Sequence, residues 1–226
     1  MADRAHAPDD TTAYHLAELE VARNPDDPRR VMPEVPRGAR ALLDVGCGAG
    51  QTLIALDLDA ARVARCGVDV DAAALALGRR LDPGLLLACS RGESLPFADA
   101  SFDFVLCRVA LPYMDVARAV AEMARVLRPG GELWLVLHPV GFALAELKGH
   151  LRRGQPRGAL FQLYVLANGL ALHLGRPQFR FPLGARAFES VQTERGVRRA
   201  LERAGLGAVA ARRGPFFVVT AAKRGG

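Results

Sequence analysis

A short apolar run that leads into alternating glycines constrains the fold more than any other part of the chain. The run occupies residues 42–45, and Gly46, Gly48 and Gly50 follow it directly. Glycine adopts turn dihedral angles that other residues avoid, and it lets a ligand approach bare backbone. The pattern therefore predicts a β-strand, a tight turn and a helix, with a binding site at the turn.

Strand-like and helix-like segments alternate on both sides of this loop. We predict strands at Ala41–Val45, Ala64–Val70, Leu85–Cys89, Phe102–Cys107 and Glu132–Leu137. Predicted helices between them are Gln51–Asp57, Ala72–Leu81 and Val116–Val126. A helix at Glu194–Ala204 and strands at Ala208–Ala211 and Phe216–Ala222, joined by a turn at residues 213–215, complete the pattern. This alternation is typical of an α/β protein with a doubly wound, largely parallel sheet.

Two segments fall outside the alternation. Residues 1–40 contain a predicted helix, Ala13–Ala22, and then four prolines, which is typical of a helical arm and linker. Residues 140–186 are too long for a simple connection. We predict that they form a helical cap over the carboxyl edge of the sheet, inserted after the fifth strand of a domain covering residues 41–226.

Composition favours a globular protein outside the membrane. Hydrophobic residues make up 50% of the chain and charged residues 24%. No run reaches the roughly 18 apolar residues of a membrane span, and residues 1–12 are polar and acidic, so we expect a cytoplasmic location. The four cysteines are widely spaced, which predicts neither a metal site nor a disulfide framework.

Charge is distributed unevenly along the chain. Residues 1–145 carry a net charge of −5, whereas residues 146–226 hold fifteen Lys or Arg against four Glu, a net charge of +11. A solvated basic surface is one interpretation. An anionic ligand, a membrane surface and nucleic acid are the others.

The acidic residues near the glycine loop favour one class of nucleotide ligand. A dinucleotide-binding loop would have its third glycine at the position of Gln51. Asp44 would also repel a pyrophosphate, whereas it would attract the amino group of a nucleoside that carries an amino acid. Asp69 ends the next predicted strand, where a carboxylate can accept hydrogen bonds from a ribose diol.

Five ordered motifs together resemble those of class I S-adenosylmethionine-dependent methyltransferases, and in particular the ubiquinone and menaquinone biosynthesis type. They are residues 42–50, 67–69, 93–97, 101–103 and 126–131. The resemblance implies a Rossmann-like seven-stranded sheet flanked by helices, with the last strand antiparallel, and S-adenosyl-L-methionine as the cofactor. It places the glycine loop around the methionine portion and the acid after the second strand on the ribose. These roles fall on Asp44, Gly46, Gly48, Gly50 and Asp69.

The adenine-binding segment departs from the family pattern. Relatives usually have an Asp two residues before Glu93, and this chain has Arg91, which is only a hydrogen-bond donor. Either the backbone of Gly92 and Glu93 recognises adenine, or Arg91 stacks on it, or the adenine contact is weak. Other predicted cofactor contacts are Cys47, Gln51, Val70, Cys107 and Arg108.

Methyl transfer from a sulfonium is an in-line displacement, which needs a positioned nucleophile and in some cases a base. His138 follows the fifth predicted strand and Tyr113 follows the fourth, at the edge where α/β sheets bind ligands. We therefore predict both as catalytic and substrate-contacting residues. The alternatives are a structural histidine and ordinary loop packing.

The predicted cap carries sixteen consecutive uncharged residues, 159–174, between arginines at both ends. A helix that is apolar on every side is buried, or lies at a membrane or partner surface; we favour burial. Its polar residues are expected to face the substrate, although Thr193 is expected to cap the following helix. The predicted substrate-binding residues are therefore Tyr14, Tyr113, His138, Tyr164, Asn168 and His173.

The leading hypothesis is a methyltransferase that acts on a small, lipophilic acceptor. Whether the acceptor carries an anionic group is left open. An RNA-modifying methyltransferase is one alternative. The isoelectric point of 9.7 favours it, whereas the chain has few aromatic residues interleaved with its basic ones, which argues against it. A cofactor-binding protein without methyl transfer is another. We expect a monomer or homodimer with no stable nucleic-acid partner, no metal and no transmembrane segment. Peripheral contact with a membrane is left open.

Overall fold

Strands and helices alternate from Ala41 onward. A computed structural model describes residues 8–181, 188–214 and 216–225. Its strands are β1 Ala41–Val45, β2 Ala64–Asp69, β3 Leu86–Cys89, β4 Phe102–Arg108, β5 Leu127–Leu137, β6 Leu206–Arg213 and β7 Phe217–Lys223. Its α-helices are α1 Pro8–Arg23, α2 Gln51–Ala55, α3 Ala72–Leu81, α4 Val116–Val126, α5 Val140–Arg152, α6 Pro156–His173 and α7 Glu194–Arg203. A short 3₁₀ helix, Leu111–Tyr113, follows β4.

These strands form one sheet in the order β3-β2-β1-β4-β5-β7-β6. The first five strands are parallel, and β7 is antiparallel to both β5 and β6. The central strands are buried on both faces, as expected for a sheet covered by helices on both sides. The predicted Rossmann-like sheet with an antiparallel last strand is confirmed.

The strand order reverses between β1 and β4, which lie side by side at the centre of the sheet. In open α/β sheets, ligands bind beyond the carboxyl ends of the strands at such a reversal. The glycine loop leaves the carboxyl end of β1, and the segment containing Tyr113 leaves that of β4. The topology therefore brings the two predicted site segments to the same edge.

Side-chain caps and buried faces position the helices on the sheet. Asp115 caps α4 by accepting a hydrogen bond from the Arg118 amide, and Asp71 caps α3 in the same way. The Thr193 hydroxyl accepts a hydrogen bond from the Gly196 amide at the start of α7, which confirms the predicted cap. Because the caps satisfy amides that have no partner within the helix, they fix where each helix begins.

Strand β5 begins earlier than the predicted start at Glu132. The segment from Leu127 runs through a Pro-Gly-Gly sequence that is typical of a turn, and Leu127 nevertheless pairs with Phe102. The pairing is interrupted by a register shift, and Gly130 has a positive φ of 78°. The glycines thus allow an irregularity within the strand rather than a turn before it.

The N-terminal arm packs closely on the domain. Helix α1 contacts α2 and α3, and Leu19 packs with Leu53 and Leu85 in a small apolar cluster. The chain that follows it packs Val35 against the centre of the sheet. Helix α1 is longer at both ends than the predicted helix Ala13–Ala22, and it lies beside the glycine loop.

The cap consists of α5 and α6. They share an apolar cluster that includes Ala143, Val165 and Val191, and Leu172 of α6 joins the main core near α7. Only one side of α6 is buried, so the expectation that this helix packs into the protein holds for half of its surface. Part of the predicted cap, 182–186, and Pro215 of the predicted turn lie outside the described residues.

Candidate active site

The glycine loop has the backbone conformation that its sequence predicts. Gly46, Gly48 and Gly50 have φ values of 78°, 55° and 77°, and Gly50 precedes α2 in a left-handed conformation. A Cβ atom on Gly46 would overlap that of Ala110 in the segment after β4. Alanine at Gly46 is therefore destabilising, because of the backbone angle and because of the contact with Ala110.

Asp44 lies beneath this loop at the end of β1. Its side chain is 2% exposed, and its Oδ1 atom has no hydrogen-bond partner among the described residues. Burial raises the pKa of Asp44 to about 7, against the opposing charge of Arg108 and with a contribution from Asp69. A buried carboxylate oxygen without a partner is costly, and a bound cationic amino group would remove that cost.

Asp69 holds the loop in place. Its Oδ2 atom accepts a hydrogen bond of 2.8 Å from the Gly48 amide, and its Oδ1 atom accepts one of 2.9 Å from the Asp71 amide. A carboxylate has roughly four acceptor positions, so about two remain for a ligand. Val70, the next predicted cofactor contact, is exposed beside it.

Helix α1 contributes residues that the sequence did not single out. The His15 ring is buried against the glycine loop, and its Nδ1 atom is 2.7 Å from Nε2 of Gln51. A Cβ atom on Gly48 would lie 2.9 Å from this ring. Burial lowers the pKa of His15, although Asp71, Asp69 and Glu18 oppose the shift. The imidazole is therefore neutral at pH 7.

An ion pair fastens α1 to the end of β4. Glu18 Oε2 lies 3.1 Å from the guanidinium of Arg108, whose charge also acts on Asp44. Tyr14 lies on the same helix, about one turn before Glu18. Its pKa is raised by burial and by Glu18. The spacing from Tyr14 to Glu18 could have predicted a shared helix face, although not its position over the loop.

The predicted adenine segment is tied to the start of α4. Glu93 accepts a hydrogen bond of 3.1 Å from the Asp115 amide, and the exposed Arg91 lies 3.7 Å from the other Glu93 oxygen. Gly92 packs tightly, because a Cβ atom there would meet Met114 at 2.6 Å and Val45 at 3.0 Å. The two thiols predicted as cofactor contacts, Cys47 and Cys107, are buried, and burial raises the pKa of each.

The two predicted catalytic residues lie in different environments. His138 stacks on Phe142 with ring centres 4.8 Å apart, and burial lowers its pKa. Tyr113 is about half exposed. Burial of the other half of its side chain raises its pKa, and so do Glu189 and Tyr14. At pH 7 the His138 imidazole is therefore unprotonated, and the Tyr113 hydroxyl keeps its proton.

The polar residues of the cap hold the chain that follows α6. The Asn168 amide donates hydrogen bonds to the carbonyls of Phe179 and Glu189, at 2.9 and 3.0 Å. The Tyr164 hydroxyl also donates to the Phe179 carbonyl, at 3.0 Å. His173 Nδ1 is 2.9 Å from the hydroxyl of Thr193. Contact of these side chains with a substrate stays a prediction.

A cavity of about 440 Å³ opens at the carboxyl end of β5. Pro139, His173 and Phe217 are among its lining residues, together with the ion pair of Glu194 and Arg213. Its size falls in the range of small-molecule sites. Within the described residues no cluster of three potential metal ligands occurs.

Part of the chain is similar in sequence to proteins named as methyltransferases. Residues 43–135 match the family described as "Methyltransferase domain". The uncharacterized methyltransferase YcgJ of Bacillus subtilis is 37% identical over 126 residues, which cover 52% of this chain and 49% of that protein. The phthiotriol/phenolphthiotriol dimycocerosates methyltransferase of Mycobacterium tuberculosis is 35% identical over 105 residues, 45% of this chain and 39% of that protein. The chain thus spans half or less of the length of these curated relatives.

Solved structures share the fold along nearly the whole chain. The crystal structure of YcgJ from Bacillus subtilis superposes with a TM-score of 0.57 at 18% identity, over 95% of this chain and 100% of that one. A Thermotoga maritima S-adenosylmethionine-dependent methyltransferase, described as a possible histamine N-methyltransferase, gives 0.57 at 18% identity, over 95% and 91%. Residues 43–135 are thus similar to a methyltransferase domain, and the solved structures show that the fold is shared.

Proposed function

We propose that the protein transfers the methyl group of S-adenosylmethionine to a small, lipophilic acceptor. The observation that carries the proposal is the buried Asp44, whose Oδ1 atom has no described partner. It lies below the glycine loop and near Asp69, so a cationic amino group and a ribose have acceptors on adjacent strands.

The residues present fit this cofactor. Asp44 would bind its amino group, the backbone of Gly46 to Gly50 would lie along its methionine portion, and Asp69 would accept hydrogen bonds from its ribose. The segment from Arg91 to Glu93 would meet the adenine. Bound S-adenosylmethionine supplies an electrophilic methyl group on a sulfonium.

The protein's own contribution to the reaction is placement and proton handling. His138, unprotonated at pH 7, would accept a proton from the acceptor's nucleophilic group. Tyr113, whose raised pKa keeps it protonated, would donate a hydrogen bond that orients the acceptor. Helix α1 would exclude water from the cofactor, because His15 lies against the glycine loop and Glu18 is paired with Arg108.

A lipophilic acceptor agrees with the cap. The apolar cap helices follow β5 directly, and a cavity of about 440 Å³ lies at that junction. One relative is named for methylating phthiotriol dimycocerosates, which supports an apolar acceptor here. Arginines flank the apolar segment at both ends, so the proposal includes an acceptor with a carboxylate or phosphate. Similarity to the ubiquinone and menaquinone enzymes stays a prediction.

Transfer of a labelled methyl group to a panel of acceptors tests the proposal. We expect product from apolar phenols or carboxylic acids, and its loss in Asp44→Asn. Asp59→Asn, an exposed surface change, is the matched control and should behave like the wild type. Cofactor binding without turnover on any acceptor would refute methyl transfer. Turnover on RNA alone would refute the small-molecule acceptor.

A further inference from the structure

We propose that the outer side of α6 docks on the surface of an anionic lipid bilayer. The surface concerned is the outer stripe, which consists of Leu160, Leu163, Ala167 and Leu170 of α6 and of Leu174, the residue that follows the helix. This inference does not depend on methyl transfer, because it rests on a different face of the protein and is measured without a cofactor.

The outer stripe is apolar along almost the whole helix. Its members recur every three or four residues, so they lie on one face, and each of them is exposed. The opposite face is buried against α5, α7 and the segment around Val191. No charged residue occurs between Gly158 and Leu172. Apolar side chains therefore contact water along this side of the helix.

Neighbouring side chains extend the apolar surface of the cap. Leu144 and Leu151 of α5 are also exposed, and α5 packs along α6. Single exposed apolar side chains are ordinary, but a continuous apolar helix face marks a surface that meets a partner or a membrane. A helix that lies in a bilayer interface has such a face, with basic residues beside it.

Charge distinguishes a bilayer from a second copy of the chain. Arg152 and Arg153 lie at the end of α5, just before α6, and Arg157 lies in the first turn of α6. Arg176 and Arg180 follow the end of α6. If two copies packed stripe to stripe, either orientation would bring arginine-bearing ends together. An anionic surface is instead attracted by both ends at once, with about 1 kcal/mol for each basic residue near it.

An arginine-lined hollow adjoins one end of the stripe. Leu174 borders a shallow depression with Arg199, Glu202 and Arg203. Beside it lies a cavity of about 300 Å³ whose lining includes Arg118, Arg176, Arg199 and Arg203, with Asp115 as an acidic member.

The arginines around the hollow differ in their hydrogen bonding. Two of them donate to backbone carbonyls, and two others form no ion pair with a described carboxylate. Arg199 donates a hydrogen bond to the His173 carbonyl at 2.8 Å, and Arg203 donates to the Gly175 carbonyl at 3.2 Å. Arg118 and Arg176 form no ion pair with any described carboxylate. The hollow can therefore take a lipid phosphate while the acyl chains meet the stripe.

Co-sedimentation of the full chain with vesicles tests the proposal. Vesicles of phosphatidylcholine with phosphatidylglycerol should bind the protein, vesicles of phosphatidylcholine alone should bind it weakly, and added salt should reduce binding. The double variant Leu163→Glu with Leu170→Glu should lose about tenfold or more in vesicle affinity. The matched control is Leu86→Glu on β3, because Leu86 is 59% exposed, against 52% for Leu163 and 58% for Leu170. It should bind like the wild type.

A second variant tests the charges without changing the stripe. Arg152→Gln with Arg176→Gln, at opposite ends of the helix, should weaken binding by about fivefold for each charge. The melting temperature of each variant should stay at the wild-type value, because all these side chains are exposed.

Three results would overturn the proposal. The first is absence of wild-type binding to anionic vesicles, and the second is binding that survives both stripe substitutions. The third is a wild-type dimer that becomes a monomer on Leu163→Glu with Leu170→Glu and does not bind vesicles. That last result would assign the stripe to a second copy of the chain.

Discussion

Replacing Asp44 by Asn should stabilise the unliganded protein and weaken its binding of the cofactor about ten- to hundredfold at pH 8. The pKa of this buried carboxyl is raised from 3.8 to about 7. Its ionised form therefore destabilises the folded protein by about 4 kcal/mol above pH 7. The Asn amide would inherit the unpaired position of Oδ1, which costs about 1–3 kcal/mol. The expected net gain at pH 8 is therefore about 1–3 kcal/mol.

The sign of the pH dependence follows from the direction of the shift. A carboxyl with a raised pKa in the folded protein binds its proton more tightly there than in the unfolded chain. Stability contributed by Asp44 is thus greatest at low pH and falls as the pH rises from 3.8 to about 7. The difference in unfolding free energy between Asp44→Asn and the wild type should grow by about 2–3 kcal/mol from pH 5 to pH 8.

Cofactor affinity should show the opposite trend. The ionised carboxylate is the form that pairs with an amino group, so wild-type affinity for S-adenosylhomocysteine should rise about thirtyfold from pH 5.5 to pH 8. At pH 8, Asp44→Asn should bind it about ten- to hundredfold more weakly than the wild type. Isothermal titration calorimetry measures both quantities.

Urea unfolding at pH 5 and pH 8, without ligand, measures the stability difference. Asp59→Asn is the surface control and should change the unfolding free energy by less than about 0.5 kcal/mol at either pH. If Asp44→Asn were less stable than the wild type at pH 8, the carboxylate would have an internal partner and the reasoning would fail. Unchanged cofactor affinity in this variant would refute the amino-group assignment.

Other substitutions test the loop and the helix over it. Gly46→Ala should lower the unfolding free energy by about 1–3 kcal/mol in urea titrations, because its φ is 78° and its Cβ would meet Ala110; wild-type stability would contradict the geometry. Asp69→Asn should weaken S-adenosylhomocysteine binding by about tenfold in calorimetry, since it alters the acceptors for loop and ribose, and unaltered affinity would exclude the ribose contact. Glu18→Gln should speed cofactor release several-fold in stopped-flow measurements, since the pair of about 1 kcal/mol with Arg108 fastens α1. An unchanged release rate would show that α1 does not cover the cofactor.

Local sequence patterns were sufficient for most of the secondary structure. The predicted bounds of α3 and α4 agree with the structure, because an apolar periodicity and an Asp cap mark each helix. The glycine loop and Asp69 could be placed at one edge in advance, since parallel strands bring their carboxyl ends together. The strand through the Pro-Gly-Gly segment was missed, because its turn-forming residues are held in the sheet by pairing with Phe102.

Local patterns predicted the strands, the glycine loop and the acids beside it, because these depend on residues close together in the chain. The seven-stranded sheet was instead implied by the family resemblance, because its pairing joins distant residues such as Leu42 and Phe104. The segments that cover the loop and its acids could be identified only from the packed structure. The contact of Glu18 with Arg108 joins residues 90 positions apart, and Asn168 directs its amide to the backbone after α6. The periodicity of α6 likewise could not show which side faces water. A pattern of apolar residues records that a face avoids water, but the partner of that face is fixed by the packing of distant segments.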